Sequence, residues 1–124
     1  MKKIHTDNAP AAIGPYSQAI IHGDILFTSG QIPINPATGN IEAEGIVAQT
    51  EQVMQNLGAV LSAAGSSFEN AIKTTCFLAD MAYFAAFNEV YARYFTEKPA
   101  RSCVAVKTLP KNVLVEVEVI AAVK

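Results

Sequence analysis

Residues 113–123 read VLVEVEVIAAV, and the alternation along this run decides the fold. A β-strand turns successive side chains to opposite faces. Val113, Val115, Val117, Val119 and Ala121 therefore share one face, and Leu114, Glu116, Glu118, Ile120 and Ala122 share the other. The valine face predicts a sheet surface covered by helices. The second face mixes large aliphatics with two carboxylates, which suits neither a dry core nor open solvent and predicts burial against another copy of the chain.

Working backwards, Pro110-Lys111-Asn112 is a turn that joins this strand to one at Ser102–Leu109, and so short a turn predicts antiparallel neighbours. Tyr83, Phe84, Phe87, Val90, Tyr91, Tyr94 and Phe95 line one side of a helix that must end by Pro99. AIKTTCFLAD, at 71–80, reads as a strand. Before it, Ile46, Val53, Met54, Leu57, Val60, Leu61 and Ala64 follow helical spacing, and Gly65 supplies a stop. PINPATGN, at 33–40, is a turn-rich connection, and QAIIHGDILFTSG, at 18–30, has hairpin composition around His22-Gly23-Asp24. The order is hairpin, helix, strand, helix, strand, strand. It predicts an α+β domain, one mixed sheet with both helices on a single face.

At 124 residues the chain has the length of one domain, assigned here as 1–124. It is 51% hydrophobic and only 16% charged, with a formal net charge of -2 and no Lys/Arg cluster beyond Lys2-Lys3. Nucleic acid is not the expected partner. No apolar stretch reaches the roughly 18 residues of a membrane span, and MKKIHTDNAP lacks the apolar segment of a secretory signal, so a cytoplasmic location is expected. Cys76 and Cys103 read as free thiols in that setting. His5 and His22 stand far from each other and from any paired cysteine, so no metal is expected.

The stretch KPARSCVAV, at 98–106, places Arg101 behind a proline at the start of a strand. A guanidinium carries five donors in a planar fork and keeps its charge, so it needs an anion to face wherever water does not cover it. Two readings stand side by side. Arg101 pairs with Glu116 or Glu118 and holds the sheet or a subunit contact, or it faces a pocket and takes the carboxylate of a small ligand while the glutamate handles a water.

GPYSQA at 14–19, SGQIP at 29–33, FNEVYARYF at 87–95, PARSCV at 99–104 and VEVEVIA at 115–121 together resemble the Rid family, the reactive intermediate deaminases also called RidA or YjgF. The resemblance runs over essentially the whole chain. It implies a chorismate-mutase-like fold, a homotrimer with pockets at the subunit seams, and hydrolysis of 2-imino acids to 2-oxo acids and ammonia. By position, Arg101 resembles the residue that binds the substrate carboxylate and Glu116 the one that holds the hydrolytic water. Tyr16, Ser29, Gly30, Asn88 and Cys103 resemble the pocket lining. Ala105 stands where the family pattern PARSCVEV carries an acidic residue.

The implied chemistry asks for no cofactor, because an iminium is already electrophilic and needs only an oriented water and a proton acceptor. The stripe from Phe84 to Phe95 is read as core, and Cys103 as pocket wall in place of a nucleophile, since no histidine is positioned to make its thiolate. The alternatives are a protein that binds 2-oxo acids for regulation without turnover, and, further off, the ribonuclease or translation inhibitor that members of this family have been called.

Overall fold

The computed structural model describes residues 1–123. In chain order the elements are β1 (Lys2–Ile4), β2 (Ala19–His22), β3 (Ile25–Thr28), α1 (Gly45–Ala63), β4 (Ala71–Leu78), α2 (Phe84–Tyr94), β5 (Ala100–Ala105) and β6 (Val115–Ala122). All six strands form one sheet in the order β1-β2-β3-β6-β4-β5. The architecture is the α+β layer that the alternating last strand calls for, with β1 added at the amino-terminal edge.

The helices form for the expected reasons. Along α1, Val53, Met54, Leu57, Val60 and Leu61 have no exposed surface. It closes with Gly65 at φ +74, where the Gly65 N–H donates to the Ser62 carbonyl at 3.0 Å and the Ser66 N–H to the Leu61 carbonyl at 2.8 Å. That pair of bonds is the glycine-terminated helix stop, open to glycine because a left-handed residue carries no Cβ penalty there. In α2 the aromatic stripe is core: Phe87 and Phe95 are buried, and the Tyr91 and Phe95 rings stack at 4.5 Å. Tyr91 keeps its hydroxyl paired with Thr74 Oγ1 at 2.7 Å, which is what allows a phenol into an apolar layer. One cluster of buried residues joins both helices to Val115, Val117, Val119 and Ala121, so the valine face packs under the helices as its pattern predicts.

The strand order corrects one expectation. β6 does not lie beside β5. It sits between β3 and β4, antiparallel to both, and β5 pairs in parallel with β4 at the sheet edge. A helix between β4 and β5 returns the chain in the same direction, the usual route to a parallel pair. The segment 106–114 then carries the chain past β4, helped by the Ala79 N–H, which donates to the Leu114 carbonyl at 3.0 Å. β5 also begins at Ala100 and stops at Ala105 instead of running to Leu109. Its partner β4 stops at Leu78, whose carbonyl accepts the Val106 N–H at 2.9 Å, and beyond that point no ladder remains to extend.

Candidate functional site

Register decides where the two charged candidates point. Arg101 pairs with Thr74, and Thr74 pairs with Val119, so Arg101 lies on the helix-covered face. Glu116 pairs with Phe77 on the opposite face. The sheet brings both residues within a few strands of each other and then separates them by its own thickness. Within one chain Arg101 therefore pairs with neither Glu116 nor Glu118, so it does not hold the sheet through an ion pair.

Glu116 stands at the edge of a hollow of about 470 Å³ whose wall includes Tyr16, Gln18, Ser29, Gly30, Gln31 and Pro110. Backbone pairing builds that wall. The Gln31 N–H donates to the Val117 carbonyl at 2.8 Å and the Val117 N–H to the Gln31 carbonyl at 3.2 Å, which lays Gly30 directly against the Glu116 side chain. A methyl group on Gly30 would come within 2.8 Å of Glu116 Cδ and collide with Oε2. Glycine serves a close approach here and not an unusual φ, since any side chain would displace the Glu116 carboxylate. Ser29 Oγ donates to the Ser17 carbonyl at 2.6 Å, anchoring the loop that carries Tyr16, which is 54% exposed over the hollow. Burial, and then the neighbouring Glu118 charge, raise the Glu116 pKa from its ordinary value. Neither ion pair among the described residues involves Glu116.

Sequence reasoning missed Gln18. Its side chain is buried and bonded at every polar atom: Oε1 accepts the Thr6 N–H at 2.7 Å, and Nε2 donates to the carbonyls of Thr6 at 3.0 Å and Pro10 at 2.9 Å. The available signal was a glutamine inside an otherwise β-forming run, since a polar group placed there must find partners. Asn56 does the same from α1, donating to the carbonyls of Ile32 and Ile34 at 3.1 and 2.9 Å and so fixing the far wall of the hollow.

Arg101 belongs to a second hollow, of about 350 Å³, shared with Asn88, Tyr91, Phe95, Thr96 and Lys98. Its Nη1 donates to Asn88 Oδ1 at 2.7 Å, and its Cζ lies 4.8 Å from the Tyr91 ring centre and 5.4 Å from that of Phe84. The rings and one amide aim the fork without neutralising it. No carboxylate among the described residues pairs with it.

Cys103 faces the same side as Arg101 but turns inward, in register with the buried Cys76 and packed against the core. Both are free thiols. Burial is the main cause that pushes Cys76 up to about 12 and also raises Cys103, so both stay protonated and neither is a ready nucleophile. No group of three or more potential metal ligands occurs among the described residues, and no helix is long and apolar enough to cross a membrane.

The chain thus carries two hollows on opposite faces, one with a guanidinium that pairs with no carboxylate among the described residues and one with a half-buried carboxylate against Gly30. Comparison with known proteins gives this pattern a family. The model described as Endoribonuclease L-PSP matches residues 6–123. A RutC family protein of Pyrococcus horikoshii is 57% identical over 119 residues, 95% of this chain and 94% of its own. Among solved structures, the Rid family protein YyfA of Yersinia pestis superposes with a TM-score of 0.96 at 51% identity, covering 98% of each chain. TdcF of E. coli, solved with bound serine, superposes with a TM-score of 0.94 at 45% identity over 100% of both chains. With whole-length agreement in sequence and in backbone, the chain belongs to the Rid family, the group that also carries the RutC and L-PSP names.

Proposed function

We propose that this protein hydrolyses small 2-imino acids, such as 2-iminobutanoate and 2-iminopropanoate, to the 2-oxo acids and ammonia. The observation that carries the reading is the Arg101 fork, oriented by Asn88 and two ring faces and left without an acid of its own. A planar fork of that kind suits a carboxylate gripped through two parallel bonds. Its complement is Glu116, whose raised pKa brings it nearer the operating pH of a general base than a solvated glutamate would be.

Because one chain holds these groups on opposite faces, the working site joins the Arg101 half of one copy to the Glu116 half of the next. The outer sheet face supports such a contact: Phe27 is 45% exposed and Val104 46%, and Ile20, Phe77 and Ile120 share that face. A head-to-tail contact closes as a ring when its rotation divides the circle, and the homotrimer that the family resemblance implies would supply three seams.

The steps follow from the residues. Arg101 binds the substrate carboxylate and fixes which face of the C=N carbon is open. Glu116 of the neighbouring copy orients a water and takes its proton as oxygen adds to carbon. Glu116 then passes that proton to nitrogen, the C–N bond breaks as the hydroxyl gives its own proton back to Glu116, and ammonia leaves as the carbonyl forms. Ser29 and Gly30 line the place where that oxygen develops, and Tyr16 covers the ligand from above.

A second reading has its own support in the bound serine of TdcF: a pocket of this shape can hold a small amino or oxo acid without turning it over. One experiment separates the two. A PLP-dependent dehydratase generates 2-iminobutanoate in situ, and 2-oxobutanoate release is followed with wild type, Arg101→Ala and Glu116→Gln. Hydrolysis predicts acceleration by wild type alone. Equal acceleration by Glu116→Gln would remove the general-base role, and no acceleration by wild type would leave the binding reading.

A further inference from the structure

The Arg101 hollow contains a second cation that the reaction above does not use. Lys98 lines it three residues before Arg101, and none of its lining residues is acidic, the exposed Glu97 standing outside it. Neither cation takes part in an ion pair among the described residues, in a chain whose formal net charge is -2. A positive hollow on a negative protein is a local field that concentrates anions, and two separate cations favour an anion with two charged ends.

The backbone at Lys98 gives an independent reason to take the residue seriously. Its φ is 53, in the left-handed region, and Pro99 follows it. A residue before proline is pushed toward extended backbone, and side chains other than Asn and Asp rarely accept a positive φ. The Lys98 N–H donates to the Phe95 carbonyl at 3.3 Å, closing a turn for which asparagine or glycine would be the relaxed choice. Of the other non-glycine residues with positive φ, Lys111 and Asn112 form the tight turn before β6 and belong to no cationic hollow. Strain retained at a site wall points to a task for the side chain.

We infer that Lys98 is a specificity residue that binds the distal carboxylate of a dicarboxylic 2-imino or 2-oxo acid while Arg101 holds the carboxylate beside the reacting carbon. The inference rests on the carboxylate-grip reading of Arg101 and adds the substrate class. A cavity of about 350 Å³ lies at the small end of ligand pockets and suits a short-chain diacid. Asn88 and Thr96 supply neutral hydrogen-bonding groups along the same wall, and Tyr91 and Phe95 supply an apolar floor for the carbons between the two acids.

The test measures binding of 2-oxoglutarate and 2-oxobutanoate to the assembled full-length protein by calorimetry. Wild type is expected to bind the diacid about tenfold tighter than the monoacid, the scale of one charge-assisted contact. Lys98→Asn should bring that ratio close to one, and Lys98→Arg should restore most of it. Because asparagine tolerates the left-handed backbone, Lys98→Asn should also keep or raise the melting temperature, an effect that loss of a merely structural lysine would not give. A wild type without preference for the diacid overturns the assignment. So does a Lys98→Asn variant with the ratio intact, or one that loses its preference only by falling apart into smaller assemblies. Arg101→Ala separates the two levels: loss of both acids supports the grip, and unchanged binding of both sinks the grip itself and not merely the role of Lys98.

Discussion

The two hollows of this chain hold their charged groups in opposite ways. Around Glu116 nearly everything is tied: a reciprocal backbone bridge joins Gln31 to Val117, Ser29 is bonded to Ser17, Gln18 is satisfied at every polar atom, and Gly30 leaves no room for a side chain. Arg101 stands on the edge strand, steadied by a single amide and two ring faces. The difference follows from what each group must do. A base has to meet a water at a fixed distance and angle, which rewards rigid backbone. A clamp has to receive and release an anion, which a long side chain at an edge does well.

If that contrast is right, the rigid side should fail abruptly when its packing is touched. Gly30→Ala forces a methyl group into the Glu116 carboxylate, and the carboxylate or the loop must move. Turnover should fall by about 10²–10⁴, as it would for outright loss of general-base help. Binding of 2-oxobutanoate, which depends on Arg101, should fall far less. Steady-state kinetics beside calorimetry checks the split, and a Gly30→Ala enzyme with near-normal turnover would break the comparison. Arg101→Ala should show the reverse profile, with binding lost first.

Whether the two halves meet across a seam has its own signature. Arg101→Ala and Glu116→Gln, each inactive alone, should regain activity when co-assembled from unfolded chains. With random mixing, about a quarter of head-to-tail seams pair an intact Arg101 with an intact Glu116, so recovery should approach that fraction of wild type. No recovery in mixed assemblies of confirmed composition would require both groups to act from one chain, against the register that places them on opposite faces.

The clamp side should respond more gently. Asn88→Ala removes the 2.7 Å bond to Nη1 but leaves the Tyr91 and Phe84 rings beneath the guanidinium. One hydrogen bond at a partly solvated site is worth about 0.5–1.5 kcal/mol, so KM should rise about two- to tenfold with kcat nearly unchanged. A large drop in kcat would mean that Asn88 holds the reacting geometry and not the anion.

How much of this was legible in the sequence varies by level. The VEVEV alternation and the Gly65 stop are local signals, and both describe the structure. Alternation within PARSCV also puts Arg101 and Cys103 on a common face, but it cannot say which face of the sheet that is. The answer depends on pairing with Thr74, a contact set by the crossover through α2. The same long-range choice misled the strand order, because Pro110-Lys111-Asn112 does turn the chain while residues 106–114 as a whole reach over β4. β1 spans only Lys2–Ile4, with both lysines exposed, so its pattern is too short to register as a strand. Gln18 and Asn56, which shape the Glu116 hollow, are polar residues whose partners are backbone carbonyls distant in sequence, and no spacing rule finds those.

The smallest effect tests the rigid side from its energetic cost. Burial and then Glu118 raise the Glu116 pKa in the fold, so its ionised form is disfavoured there relative to the unfolded chain. For a group shifted in this direction the stabilising contribution is fully present below the unfolded pKa and is lost as pH rises through the folded one. At neutral pH wild type therefore carries a penalty that Glu116→Gln lacks, and below the ordinary carboxylate range both side chains are neutral and the difference closes. Glu116→Gln should melt slightly above wild type at pH 8, with the gap shrinking toward zero as the pH is lowered through the carboxylate range. The gain in stability should accompany the loss of turnover, as expected of a group held in place for chemistry and not for folding. A Glu116→Gln protein that melts lower than wild type at pH 8 would show the carboxylate anchoring the loop, and the contrast between a strained base and an adaptable clamp would give way to two structural contacts.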